Sequence, residues 1–246
     1  MGKTRANYNW KETGFPVVYD KTTVESIKPM FPVVFYDDFI GAAGGSVFGG
    51  TMIWNVVDVG ATATAAIVAN SSGGQFLLHL AAVNEAEDAV LYQNDNKTFD
   101  VGEGVIFECR LKMAVVPGTA VTAVFGMAGD HNLDKDSVTE QAWFRLQASA
   151  ALLCESDDTT IDNNDKATGI TLTTVVYHIF RIDFTTLTDV KFYVDGVRVC
   201  PTVTFDMSNL SVAEQQMQPY FSLDKATGTG LGDLNIDYVK IFSDRT

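Results

Sequence analysis

Four oxygen-bearing side chains recur at every second position in Asp130, Asn132, Asp134 and Asp136. Alternate oxygens at this spacing are how a calcium loop presents its ligands. The EF-hand form also needs Gly at the sixth place and Glu at the twelfth; here those are Lys135 and Gln141. The four residues are the calcium candidates of the chain. A solvated acidic turn is the competing expectation, because Asp and Asn are ordinary turn formers. A second acidic run, Asp157, Asp158, Asp162 and Asp165, reads as another loop of that kind. Calcium is the one cofactor the sequence puts forward.

Other chemistry is thinly represented. His79, His131 and His178 are far apart, and Cys109, Cys154 and Cys200 form no CxxC pair. A zinc site is not expected. Three widely spaced cysteines do not make a disulfide framework, so Cys109 and Cys154 are expected as buried thiols. Asp37 and Asp38 are adjacent and face opposite ways on a strand, while Glu103, Glu108 and Glu140 stand apart. Asp233, Asn235 and Asp237 alternate near the C-terminus, on a segment read as structural. Trp54 and Trp143 lie in strand-like runs and are expected in the core. Tyr92, Tyr220 and Trp10 are the aromatic residues left for an exposed platform.

The elements that must position these groups are strands. Tyr177, Ile179, Arg181 and Asp183 alternate with His178, Phe180, Ile182 and Phe184 at a period of two, as do Val190, Phe192 and Val194 with Lys191, Tyr193 and Asp195. Asp195-Gly196 then predicts a type I′ hairpin turn. Similar runs recur at Phe35–Phe39, Thr51–Asp58, Ala61–Val68, Gly74–Val83, Ala89–Gln93, Val105–Val115, Ala120–Met127, Gln141–Ala148, Ala151–Glu155, Pro219–Asp224 and Asp233–Phe242. About a dozen strands at this spacing predict an antiparallel sandwich. Met207–Gln216 is the one helix expected after residue 36, and Thr22–Lys28 is read as a single helical turn. A chain of 246 residues can form such a body as one domain.

Net charge is −14. A strongly acidic surface excludes direct nucleic-acid binding and anionic membranes as partners. Residues 1–36 nevertheless hold five Lys or Arg against three acids. With Pro16, Pro29 and Pro32, they read as an extended arm, residues 1–34, ahead of a body at 35–246. Tyr8, Trp10, Phe15 and Tyr19 are its candidate partner-binding residues. No apolar leader opens the chain, and no run approaches a membrane span.

Tyr177–Asp183, Val190–Gly196 and Leu234–Ile241 together resemble the concanavalin A-like lectin/glucanase jelly roll in its laminin-G-like form. Ala142–Asp158 is similar to a segment of tailed-bacteriophage virion proteins built on that fold. The resemblance implies an all-β, two-sheet antiparallel jelly-roll sandwich with an extended N-terminal arm. It implies a non-enzymatic virion protein that decorates or cements a capsid, assembled in the host cytoplasm. Its partners would be the major capsid protein or sister subunits, in a homo-oligomer for which a trimer fits. The alternatives are a carbohydrate-binding, lectin-like adhesion module, with a glycan as partner, and a glycoside hydrolase. Glucanases of the fold resemble one another in a Glu-x-Asp-x-x-Glu strand that this sequence lacks, so no catalytic residue is expected.

Overall fold

A computed structural model of the chain describes residues 6–9, 17–20, 26–27, 33–40 and 54–243, with side chains described for 35–40 and 54–243. The first strands are β1 (Ala6–Asn9), β2 (Val17–Asp20), β3 (Ser26–Ile27) and β4 (Val33–Asp37). Next come β5 (Asn55–Val59), β6 (Thr64–Ile67), β7 (Phe76–Leu80), β8 (Glu87–Tyr92) and β9 (Phe99–Asp100). The middle of the chain forms β10 (Ile106–Val115), β11 (Thr122–Ala128), β12 (Glu140–Gln147), β13 (Ala151–Asp158) and β14 (Asp162–Thr171). The last are β15 (His178–Asp183), β16 (Lys191–Val194), β17 (Val197–Val199), β18 (Gln216–Lys225) and β19 (Gly232–Ser243). No α-helix occurs among the described residues, only three single-turn 3-10 helices.

Two antiparallel sheets make a sandwich. The first runs β17-β16-β15-β10-β19-β7-β6, with β4 also on β19; the second runs β14-β13-β12-β11-β18-β8-β5, with β9 on β18. The chain crosses between them repeatedly, as a jelly roll requires. β1, β2 and β3 pair only with one another among the described residues. The segment read as a bare extended arm therefore contains a small antiparallel sheet, and Ser26–Ile27 is a strand where a helical turn was expected.

The alternation in the sequence is the alternation of faces. Phe180 and Ile182 on β15 point inward with no exposed surface, and Phe180 meets Phe125 and Phe144 of the opposite sheet at centroid distances of 4.7 and 5.1 Å. Edge-to-face ring pairs of this kind stabilise beyond the area they bury. Trp54 joins the same core, and its Nε1–H donates to Asp37 Oδ2 at 2.8 Å. Asp195 and Gly196 have φ of 49° and 78°, so the I′ turn forms where expected and sets the β16–β17 register.

Three expectations change. Met207–Gln216 is not a helix: Met207 and Leu210 anchor it in the core, and one i→i+4 bond, Gln215 N–H to Ser211 O, forms. So short a segment gains too few bonds to offset nucleation. Asp157–Gly169 is not a loop but the turn and returning strand of a hairpin, β13–β14. β14 lies at the sheet edge, where polar residues remain solvated, so it carries no apolar signal. The third change is in β19, where a strict period of two puts Leu234, Ile236, Tyr238, Lys240 and Phe242 on one face and holds only in the first half. A register shift against β10 at Arg110/Leu111 marks a bulge, so Leu234 and Ile236 are followed into the core by Val239 and Ile241.

Candidate functional site

The outer face of the second sheet is built from alternate residues of five strands. Register places Tyr92, Tyr220, Gly126, Trp143 and Glu155 in one row across β8, β18, β11, β12 and β13. Trp143 and Tyr220 lie 6.1 Å apart, centroid to centroid, on either side of Gly126. A Cβ at Gly126 would sit 2.4 Å from Ala142 O, so no side chain fits between the rings. These aromatic residues form a second apolar cluster outside the main core, with Val90, Val124, Ala128 and Val138.

The β11–β12 connection folds over this row. His131 packs on Tyr92, and its Nδ1 lies 2.6 Å from Tyr220 Oη. Burial and the nearby Lys135 charge depress His131 below its ordinary value. Lys135 is itself buried, with Nζ donating to Asp88 Oδ2 at 3.2 Å and to Asn132 O at 2.9 Å. Tyr92 and Tyr220 are therefore covered, not exposed platforms.

The calcium candidates lie in this connection but do not converge. Asp130 pairs with Lys97 Nζ at 2.9 Å, Asn132 Oδ1 accepts from the Asp134 N–H, Asp134 caps the Lys135–Ser137 turn, and Asp136 pairs with Arg145 at 2.7 Å. Asn132 and Asp134 each accept from the backbone N–H two residues on, as successive Asx turns, while Asp130 and Asp136 turn to the Lys97 and Arg145 side chains, so the four side chains fan apart. No group of three or more His, Cys, Asp or Glu that could hold a metal is present among the described residues.

Beside the aromatic row, β12, β13 and β14 enclose a cleft of about 360 Å³ lined by Arg145, Glu155, Asp157, Asp162 and Asp165, among others. Glu155 is its centre. The carboxylate accepts from Trp143 Nε1–H at 2.8 Å, from Arg145 Nη1 at 3.0 Å and from the Asp165 N–H at 3.2 Å. Burial pushes the Glu155 carboxyl up, opposed by the Trp143 hydrogen bond and the Arg145 charge. Asp157 is also raised, by burial and then by the charges of Asp162, Asp158 and Glu140.

Glu155 is not among the candidates the sequence puts forward, and Asp157 enters only as part of an acidic loop. They form Glu-x-Asp on one face of β13, with Thr160 where the glucanase pattern has its last acid. The two-residue spacing was the available signal. It was obscured because Asp157 and Asp158 read as the start of a loop. Of the arm residues, Tyr8 lies in β1 and Tyr19 in β2, while Trp10 and Phe15 lie outside the described residues. The three histidines stay apart, His79 on Asp233 at 2.5 Å and His178 on Asp195 at 2.6 Å.

No protein-family profile matches the sequence, and no curated protein matches it. Solved structures do. A protein of unknown function from Shewanella oneidensis MR-1 aligns with TM-score 0.56 at 12% identity, over 85% of this chain and 86% of that one. The Emp47p carbohydrate recognition domain aligns with TM-score 0.51 at 11% identity, over 86% and 95%. The fold is the concanavalin A-like jelly roll. A β-1,3-glucanase from Mycobacterium marinum shares it, with TM-score 0.53 at 12% identity over 85% and 97%. At these identities the likeness concerns the fold alone, which hosts both binding domains and enzymes.

Proposed function

We propose that the chain is a non-catalytic recognition and structural sandwich, carried on a virion-type assembly by its N-terminal segments. The observation that carries the non-catalytic part is the state of Glu155. Its oxygens are engaged by an indole, a guanidinium and a backbone N–H, and a general acid or nucleophile needs an oxygen free to reach the glycosidic bond. The structural part is supported by the separate β1–β3 sheet ahead of the body and by the phage-like segment Ala142–Asp158. The assembly would be a capsid, with its major protein or sister copies as partners.

A hydrolase is the second reading, favoured by one observation: Glu155 and Asp157 share a cleft and both have raised carboxyls, as an acid catalyst would. Reducing-end assays on β-1,3-glucan, β-1,4-glucan and β-1,4-glucuronan separate the two. No turnover is expected, and turnover abolished by Glu155→Gln would establish the enzyme. Deleting residues 1–30 should leave the sandwich folded but prevent co-sedimentation with capsids; retained co-sedimentation would refute the attachment role.

A further inference from the structure

Two thiols meet between the sheets, at one side of the sandwich. Cys154 lies on β13 of the second sheet, and its side chain is fully buried in the core. Cys200 follows β17, the outermost strand of the first sheet, and is 6% exposed. Register and hydrogen bonds bring the two together. Cys154 pairs with Lys166 of β14, and the Cys200 thiol donates to Lys166 O at 3.6 Å and to Ala167 O at 3.4 Å. The Cys154 side chain is in turn hydrogen-bonded to that of Cys200. Cys200 also has φ of 49°, a backbone conformation in which a residue other than Gly is strained. Its carbonyl accepts from the Val203 N–H at 3.0 Å, which holds the turn. Glycine would sit there at lower cost; cysteine adds a sulfur directed at β13.

The two sulfurs are not equivalent. The hydrogen bond from Cys154 draws the Cys200 thiol below its ordinary value, against the effect of burial. Burial pushes the Cys154 thiol up. The thiolate is the attacking form of a cysteine, and access decides which sulfur an oxidant reaches first. Cys200 has both the lower value and the exposed edge. Cys109 has neither: it is fully buried on β10, and burial pushes its thiol well up. The chain therefore carries one attacking sulfur, one sulfur beside it to resolve the product, and one inert thiol.

We propose that Cys154 and Cys200 are an oxidisable pair, which hydrogen peroxide converts into a disulfide joining the two sheets. The Cys200 thiolate attacks the peroxide; an S–O bond forms, the O–O bond breaks, and the hydroxide released takes up the proton that Cys200 gave to solvent, leaving as water. The Cys154 sulfur then displaces the hydroxyl group from Cys200. The S–S bond forms, the S–O bond breaks, and the Cys154 proton leaves with the hydroxide as a second water. Each sulfur gives up one electron, and the peroxide takes both. The bond encloses β14, β15, β16 and β17, strands of both sheets. Closing so long a loop restricts the unfolded chain and so stabilises the sandwich. The site is independent of what the sandwich recognises.

The test is oxidation of the reduced full chain with hydrogen peroxide, under exposure that fully oxidises glutathione in a parallel tube. The three free thiols, titrated in denaturant, should fall to one. The intact mass should drop by two hydrogens, and peptide mapping should join Cys154 to Cys200. The thermal midpoint should rise by several degrees and return when dithiothreitol is added. Cys154→Ser should stop at a sulfenic acid on Cys200 that dimedone traps, whereas Cys200→Ser should leave Cys154 unlabelled; neither should show the rise. Cys109→Ala should oxidise as the parent does. Mapping of the parent requires no variant, so the proposal is decided even where a substitution impairs folding. Three thiols persisting after exposure, a bond that includes Cys109, or one that links separate chains would overturn it.

Discussion

Asp224 should make the protein less stable as pH rises toward neutrality. It lies on β18, flanked by Asp88 of β8 and Thr122 of β11. Its Oδ1 is buried and has no hydrogen-bond partner among the described residues. Burial pushes its carboxyl from the ordinary 3.8 to about 7; the Asp88 charge adds to this, while Lys135 and Arg145 oppose it. Between those two values the folded chain holds a proton that the unfolded chain has released, so stability falls as pH rises across the window and is lowest above it. A displacement of that size corresponds to about 4 kcal/mol. The side chain keeps some contact with water, which reduces the figure toward about 2 kcal/mol. Asp224→Asn removes the titration. The variant should match the parent near pH 4 and exceed it in stability by about 2–4 kcal/mol at pH 8. Urea unfolding followed by tryptophan fluorescence from pH 4 to 8 measures both proteins. Asp88 and Glu155 also have raised carboxyls, so the difference between the two curves is the quantity to read. A difference that stays constant across the range would refute the argument.

Other perturbations probe separate features. Gly126→Ala places a methyl group against the Ala142 carbonyl and Trp143 Cα and should cost about 3 kcal/mol in chemical denaturation. Lys225 is fully buried, with Nζ 2.8 Å from Glu87 Oε2 and donating to Val83 O at 2.9 Å. Lys225→Met leaves the Glu87 charge without its cation and should cost about 3–5 kcal/mol; an unchanged denaturation midpoint would show that the pair adds nothing. Millimolar calcium should leave the thermal midpoint unmoved, since the oxygens of Asp130, Asn132, Asp134 and Asp136 are directed to different donors. A rise of several degrees would mean that they regroup around the ion.

Much of the fold was legible in the chain because a strand exposes its two faces at a fixed period. Phe180 and Ile182, or Phe192 and Val194, announce an inward face without reference to any neighbour. Asp195-Gly196 announces its turn because few residue pairs tolerate two positive φ angles in succession. Edge strands escape this reading. β14 buries little, so its residues carry the composition of a loop. The bulge in β19 shifts the period partway along the strand, and only its pairing with β10 reveals where.

The sites were less legible because they are made across strands. Glu155 and Asp157 share a face by local spacing, but the partners of Glu155, Arg145 and Asp165, come from β12 and β14, on either side of β13. Cys154 and Cys200 belong to opposite sheets and meet only because the end of β17 lies against the β13–β14 pair. Local alternation determines which way each side chain points. Which side chains then meet is decided by strand order and register, and these depend on contacts between residues far apart in sequence.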